Sequence, residues 1–200
     1  MGRNQSFESR VVVKAARDLF WDKGYDAVSV SDLEEATGLN RSSLYHAFGS
    51  KRGVFDAAVT DYLDTVIRPR LRVLTVGTVG HTGLIAYFDE LRAAVSAVPD
   101  DSPRRGCVLV NCAAVLAGHD EAARSVVDTY LAELITALQH ALRNARDDDP
   151  DPAEVDEHAR ILASLSTTAM LLARVNRGES VALLTSACQH VREWAGASRR

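Results

Sequence analysis

The sequence has 200 residues, a formal net charge of −4 at pH 7 and 46% hydrophobic residues. This size and composition exclude a disordered chain and a small disulfide-stabilised scaffold, and they suit one domain or a small domain joined to a larger one. No apolar run approaches the roughly eighteen residues of a membrane helix, and no signal peptide is recognisable, so we expect a cytoplasmic protein that contacts no membrane.

The first predicted element is an amphipathic helix near the amino terminus. Its apolar residues recur at a spacing of four: Phe7, Val11, Ala15 and Leu19. This spacing predicts that they share one buried face. Gly24 is a stop signal, so we expect the helix to end there and to brace the segment that follows.

Residues 29–51 (SVSDLEEATGLNRSSLYHAFGSK) predict two short helices, a tight turn and the start of a third helix. Ser29 and Asp32 have the spacing of a capping box, in which each side chain accepts a hydrogen bond from the other residue's backbone N–H. Gly38 can adopt the left-handed backbone that reverses the chain. Asn40 can then cap the second helix.

The second of these helices opens with Arg41, Ser42 and Ser43, which are short or cationic. A helix that enters the major groove of DNA presents its first turn to the base edges. Side chains of this kind can donate to bases and phosphates without blocking close approach. Leu44 and Phe48 lie four residues apart and predict the packed side of the same helix.

The remaining polar residues of the segment suit the DNA backbone. Tyr45 and His46 point away from the packed side, and Ser50 caps a third helix whose first residue is Lys51. A cation there opposes the helix dipole unless an anion such as a DNA phosphate comes close. We therefore expect Tyr45, His46 and Lys51 to contact phosphate or sugar, while residues 41–43 read the base sequence.

The segment resembles the DNA-binding domain of the TetR family of bacterial transcriptional regulators, with the pattern T-x-x-x-I-A-x-x-A-G-V-S-x-x-x-L-Y-x-H/Y-F-x-S-K. Matching residues include Ser29, Leu33, Gly38, Leu39, Asn40, Leu44, Tyr45, Phe48, Ser50 and Lys51. Ala47 departs from the pattern, which has histidine or an aromatic residue at that position. With the resemblance, the expected DNA contacts are Ser29, Ser31, Asn40, Arg41, Ser42, Ser43, Tyr45, His46 and Lys51.

The resemblance also implies the architecture of the whole chain. It implies an all-helical protein of about nine helices, with a helix-turn-helix DNA-binding domain at residues 1–50 and an effector-binding and dimerisation domain at residues 51–200. Apolar pairs continue one helical face over residues 51–67, with Pro69 as the place where this helix would kink. Two further predicted helices, over 152–174 and 180–195, are rich in small residues and would form a four-helix bundle with a second subunit. A twofold homodimer follows from that resemblance.

Residues between 51 and 174 resemble the family's ligand-binding region. The candidates to line a mostly apolar cavity are Tyr62, Tyr87, Phe88, Asn111, Tyr130 and Met170. A packed core would use the same residues, and helical spacing alone does not separate a core from a pocket.

Cys107 is a further candidate. The Gly106-Cys107 pair resembles a TetR subgroup in which such a pair opens the sixth helix and, in some members, the cysteine senses oxidants or electrophiles. A thiol at a helix amino terminus, next to Arg104 and Arg105, lies where positive potential favours the reactive thiolate. The alternative is a buried structural cysteine. Cys112 is poorly positioned for a disulfide with Cys107.

The sequence therefore predicts a ligand-responsive repressor that leaves a palindromic DNA operator when it binds a small-molecule effector. Two alternatives stay open: a redox- or electrophile-sensing repressor that acts through Cys107, and a DNA-binding regulator without a small-molecule effector. The histidines and acidic residues are scattered, and no nucleophile or phosphate-loop pattern occurs, so we expect no enzyme, no cofactor and no metal site.

Overall fold

The computed structural model describes residues 2–76, 80–99, 101–102, 104–146 and 148–197, without the side chains of 2–8, 113–114 and 197. Within these residues it contains helices and no strand, and nine helices have eight residues or more, which confirms the predicted fold class. The helices are α1 (Gly2–Lys23), α2 (Val30–Thr37), α3 (Arg41–Phe48), α4 (Lys51–Tyr62), the short α5 (Arg68–Leu71), α6 (Gly80–Ala97), α7 (Val108–Val115), α8 (Glu121–Arg143), α9 (Pro152–Leu172) and α10 (Arg177–Ala197). None of those described is long and apolar enough to cross a membrane.

The chain forms two compact units, Met1–Ile67 and Arg68–Arg200. The boundary that the sequence suggests, between residues 50 and 51, lies earlier, because α4 packs against α1 and so belongs to the first unit. The helix expected over residues 51–67 is also not regular. It is α-helical to Tyr62 and continues over Leu63–Ile67 as a π-helical turn, the wider form in which hydrogen bonds join residues five apart.

Helices α1 and α4 form the base of the first unit. The Arg17 guanidinium on α1 donates to the Asp61 carboxylate at 2.8 Å and to the Thr65 hydroxyl at 3.0 Å. The ring of Phe20 meets the ring of Phe55 edge to face, with 5.1 Å between the centroids. An ion pair and an aromatic contact therefore fix α1 along α4, and α2 and α3 build on this base.

The buried face of α1 lies one residue away from the predicted one. Val12, Ala16 and Phe20 are buried, whereas Val11 is 55% exposed, so the predicted stripe was wrong. The side chain of Phe7, which began that stripe, lies outside the described residues. Both stripes have a spacing of four, and the contact of Phe20 with α4, which the sequence does not reveal, decides between them.

The second unit is a set of packed helices in which α10 contacts α6 and α9, and α9 also contacts α8. Its fully buried residues include Phe88, Leu109, Leu134, Leu138, Leu162 and Leu184. Two of its long helices begin with aspartate caps: Asp120 accepts from the Ala123 N–H at 2.8 Å, and Asp151 accepts from the Ala153 N–H at 2.9 Å. These caps satisfy backbone donors that the first turn of a helix leaves unpaired.

A pair of histidines joins α9 to α10. His158 Nδ1 lies 2.7 Å from His190 Nε2, and the Trp194 ring lies 4.2 Å from the His158 ring. A hydrogen bond between two ring nitrogens requires that one of them lacks a proton. Burial and the nearby His190 lower the pKa of His158 below its ordinary value, although the charges of Glu154 and Glu157 act in the opposite direction.

We expect the melting temperature to fall as the pH is lowered from about 7.5 to about 5.5. Because the pKa of His158 is lower in the folded state, the unfolded chain binds the proton more tightly, and stability is lost as the pH falls below the unfolded value. In His158→Gln this part of the pH dependence should be weaker, whereas His119→Gln, which changes an exposed histidine, should keep the wild-type profile. An equally steep loss in His158→Gln would contradict this assignment.

Candidate nucleic-acid interface

Helix α2 begins with the predicted capping box, which the structure confirms. The Ser29 hydroxyl accepts from the Asp32 N–H at 3.1 Å, and the Asp32 carboxylate accepts from the Ser29 N–H at 2.7 Å. Lys23 at the end of α1 donates to the same carboxylate at 2.6 Å. The Lys23 ammonium and the Ser29 donors hold the pKa of Asp32 well below its usual range. Asp32 therefore carries the negative charge that a helix amino terminus favours.

The turn between α2 and α3 is fixed at both ends. Gly38 has a φ of 71°, in the left-handed region, and its N–H donates to the Glu34 carbonyl at 2.9 Å. Asn40 then caps α3, since its side-chain oxygen accepts from the Ser43 N–H at 2.9 Å. The Glu34 carboxylate accepts from the Arg41 N–H at 2.6 Å, a contact that the sequence analysis did not anticipate.

One side of α3 is packed and the other is open. Leu44 is completely buried, and Phe48 is half-buried on the same side. Most of the candidate contact residues are exposed, namely Ser29, Ser31, Asn40, Arg41, Ser42, Ser43 and His46, while Tyr45 and Lys51 are half-buried. The first turn of α3 therefore offers polar side chains to a partner, while Leu44 and Phe48 anchor the packed side of the helix.

Two of the cations lie over aromatic rings. The Arg41 guanidinium is 5.2 Å from the centroid of the Tyr45 ring, and the Lys51 ammonium is 4.5 Å from the centroid of the Tyr25 ring. An aromatic face attracts a cation without accepting its N–H groups. Arg41 and Lys51 are thereby oriented while these groups stay available to a base or a phosphate.

Helix α4 approaches the end of α3 too closely for a side chain at Gly53. A Cβ atom on Gly53 would lie 1.9 Å from the Phe48 carbonyl oxygen. The Gly53 N–H donates to the Ser50 hydroxyl at 3.1 Å, which confirms the predicted cap of α4. Because the clashing atom belongs to the backbone, the position of α3 against α4 depends on glycine at this residue.

A second group of candidate residues lies in the second unit, around Tyr87. The Tyr87 hydroxyl is 3.3 Å from the Ser166 hydroxyl on α9, and its ring meets Phe88 edge to face at 5.0 Å. Burial raises the pKa of Tyr87 to about 12, and the nearby Cys107 acts in the same direction. Tyr87, Phe88 and Cys107 are thus brought together, with Tyr87 as a neutral hydrogen-bonding group.

Cys107 precedes α7 and is only 2% exposed. The preceding Gly106 allows the chain to approach α9, because a Cβ atom there would lie 2.3 Å from the Met170 carbonyl oxygen. Arg174 donates from Nε to the Arg105 carbonyl at 3.0 Å, which secures the same approach. The thiol therefore lies at the predicted helix start but is shielded from solvent.

The other predicted ligand-binding residues are divided between the two units. Tyr62 belongs to the first unit, where its ring lies 5.3 Å from that of Trp21. Asn111 is half-buried on α7, whereas Tyr130 on α8 and Met170 on α9 are buried.

Three residues that take part in these sites were not predicted from the sequence. Ser166 could have been found, because it is the polar residue in an otherwise apolar stripe of α9 and is 1% exposed. Tyr25 and Glu34 gave no comparable signal, since their partners, Lys51 and Arg41, lie 26 and 7 residues away in sequence. Contacts of this kind depend on how the helices pack.

Comparison with known proteins gives consistent matches. Residues 12–58 match the family model described as bacterial regulatory proteins, tetR family. The chain is 28% identical over 181 residues to YezE, an uncharacterised HTH-type transcriptional regulator of Bacillus subtilis, covering 88% of this chain and 90% of YezE. It is 32% identical over 130 residues to the transcriptional repressor BdcR of Escherichia coli, covering 64% of this chain and 62% of BdcR. Its fold is similar to a cysteine mutant of the TetR family regulator CifR in complex with 26-bp operator DNA, with a TM-score of 0.74, 28% identity, and coverage of 90% and 94%.

We expect Gly53→Ala to destabilise the first unit by about 3 kcal/mol, because the added methyl group forces α3 and α4 apart. Urea unfolding followed by circular dichroism measures the change. Gly196→Ala on α10 is the matched control, since a Cβ atom there meets nothing within 4 Å, and its stability should stay within about 1 kcal/mol of wild type. Equal stability of the two variants would show that the close approach is not required.

Proposed function

Starting from the fact that this chain belongs to the TetR family of bacterial regulatory proteins, we propose that it is a transcriptional repressor that binds a palindromic DNA operator. The relative BdcR is named as a transcriptional repressor, and the similar CifR mutant was solved on operator DNA. These relatives are regulators, and we accordingly propose a regulator rather than an enzyme.

The observation that carries the proposal is the asymmetry of α3. Its buried Leu44 anchors the helix, while the side chains of Arg41, Ser42 and Ser43 are exposed in its first turn. This is the part of a recognition helix that meets base edges in the major groove. Lys51 at the start of α4 would contact a phosphate, together with Tyr45 and His46.

A palindromic operator requires two copies of the chain. We propose that they associate through the small or apolar part of the exposed surface of α9 and α10, which also carry exposed charged residues such as Glu157 and Arg192. On α9 the small or apolar exposed residues include Ile161, Ser164, Thr168 and Leu171, and on α10 they include Ala182 and Ser186. A twofold dimer formed through such a surface presents two copies of α3, which must lie about 34 to 36 Å apart to enter successive major grooves.

We propose that a small-molecule effector binds in the second unit around Tyr87 and Phe88. The neutral Tyr87 hydroxyl, paired with Ser166 in an apolar surrounding, supports an uncharged or weakly polar ligand. The last segment of the first unit, from Lys51 to Ile67, is helical and leads into the second unit. We therefore propose that this segment transmits the effect of ligand binding to α3. An effector that favours another spacing of the two α3 helices weakens DNA binding through its differential affinity for the two states.

Selection of duplexes from a random pool by the pure protein should return a palindrome. On that operator, Lys51→Ala should reduce the slope of log affinity against log salt by roughly one or two units and weaken all sequences alike, because a phosphate contact is lost. Arg41→Ala should instead relax the preference at one position of each half-site, because a base contact is lost. Fluorescence anisotropy titrations at several salt concentrations measure both effects.

Arg143→Ala, which changes an exposed cation in the second unit, is the control for a general effect of charge and should leave both quantities unchanged. An unaltered salt slope in Lys51→Ala would argue against its phosphate contact. If Arg41→Ala loses equal affinity for operator and for random DNA, Arg41 contacts the DNA backbone rather than a base. A pool without enrichment would count against the proposed function itself.

Control through the thiol of Cys107 is the second candidate function. The observation that favours it is the position of Cys107 at the start of α7, near Tyr87 and next to Gly106, which approaches α9 closely. A bulky adduct there would disturb the packing around the proposed effector site. The similar CifR structure is that of a cysteine mutant. Burial of Cys107 means that an electrophile must wait for a local opening of the structure.

We expect iodoacetamide, which forms an S–C bond with a thiolate and releases iodide, to label Cys107 before Cys188 if thiol control operates. Burial and the neighbouring Asp89 raise the pKa of the Cys188 thiol, which lowers its thiolate fraction. Mass spectrometry gives the order of labelling, and operator titration gives its effect, which should vanish in Cys107→Ser. Labelling of Cys107 only after unfolding would identify it as a structural residue.

A further inference from the structure

Glu34 lies in the middle of α2, yet it contacts both ends of the turn that leads into α3. Its backbone carbonyl accepts from the Gly38 N–H at 2.9 Å, which closes the end of α2. Its carboxylate accepts from the Arg41 N–H at 2.6 Å, which closes the start of α3. One residue therefore accepts hydrogen bonds from the backbone at both ends of the turn.

This contact changes what the amino terminus of α3 can offer to DNA. The first N–H groups of a helix have no partner within the helix and commonly bind a phosphate. In α3 the Arg41 N–H is taken by Glu34 and the Ser43 N–H by Asn40. The first turn of α3 therefore meets DNA with its side chains, while two of its backbone donors are occupied from within the chain.

The Glu34 carboxylate also places a negative charge beside the proposed DNA surface. Such a charge is stabilised by the positive end of the α3 dipole, but it repels phosphates wherever the helix approaches DNA. The repulsion acts on every DNA sequence. Correct placement of Arg41, in contrast, favours only the sequence that Arg41 reads.

We propose that Glu34 is a positioning residue for sequence recognition: its carboxylate fixes the start of α3, and thereby Arg41, at the cost of affinity for DNA in general. The proposal rests on the proposed function, since it requires that α3 reads an operator. Glu34 would thereby affect specificity although its carboxylate has no hydrogen-bond donor to offer to a base or a phosphate.

The test compares Glu34→Ala, which loses both the hydrogen bond and the charge, with Glu34→Gln, whose amide oxygen still accepts from the Arg41 N–H. Glu35→Ala is the matched control, because it removes an exposed carboxylate from the same helix. The affinity of each protein is measured by fluorescence anisotropy for the selected operator and for a random duplex. The ratio of the two affinities does not depend on the folded fraction of the sample, so a simple loss of stability leaves it unchanged.

We expect Glu34→Ala to lower the ratio of operator to random binding by about tenfold, the size of one well-placed base contact. Glu34→Gln should keep the ratio within about threefold of wild type and bind both duplexes more tightly, because repulsion is removed. Glu35→Ala should leave the ratio unchanged.

An unchanged ratio of operator to random binding in Glu34→Ala would overturn the proposal. Glu34 would then affect DNA binding only through its charge. A loss in Glu34→Gln as large as in Glu34→Ala would also overturn it, because the hydrogen bond would then not suffice. If wild-type protein itself prefers no duplex over random DNA, the proposed function fails instead. The outcomes for the two proposals are therefore distinct.

Discussion

Helices of eight residues do not persist alone in water, and the first unit contains two of them, α2 and α3. Their stability has to come from caps and from packing. Ser29 and Asn40 supply the caps, Leu44 supplies the anchor, and Gly53 permits the close approach of α4. These few contacts stabilise helices that are too short to be stable alone, and the proposed DNA-reading surface depends on them.

The charged side chains of the first unit have two kinds of partner. The net charge of the chain is negative, and several carboxylates of this unit are neutralised locally, such as Asp32 by Lys23 and Asp61 by Arg17. Arg41, in contrast, lies over an aromatic ring. Lys51 likewise lies over the ring of Tyr25. These two contacts hold cationic side chains at the proposed DNA surface, where a DNA-binding protein of acidic composition needs local positive charge.

The sequence was sufficient to predict the features that depend on near neighbours. The capping box of Ser29, the cap by Asn40 and the turn at Gly38 each involve residues within a few positions of one another. Features that depend on packing were missed or wrong. The buried face of α1 includes Val12 rather than Val11, and the π-helical turn after Tyr62 gave no signal. The spacing of apolar residues predicts which residues share a face of a helix, but it does not predict which other helix will cover that face.

The separation of roles within α3 has a consequence for how such a protein diversifies. Folding depends on the side chains of Asn40 and Leu44 and on the backbone of the turn, whereas the side chains of residues 41–43 point into solvent. Substitutions at these three positions alter the outward surface and leave the folding contacts intact. After gene duplication, copies of this chain could acquire new operators through changes in one helical turn, without first having to regain stability.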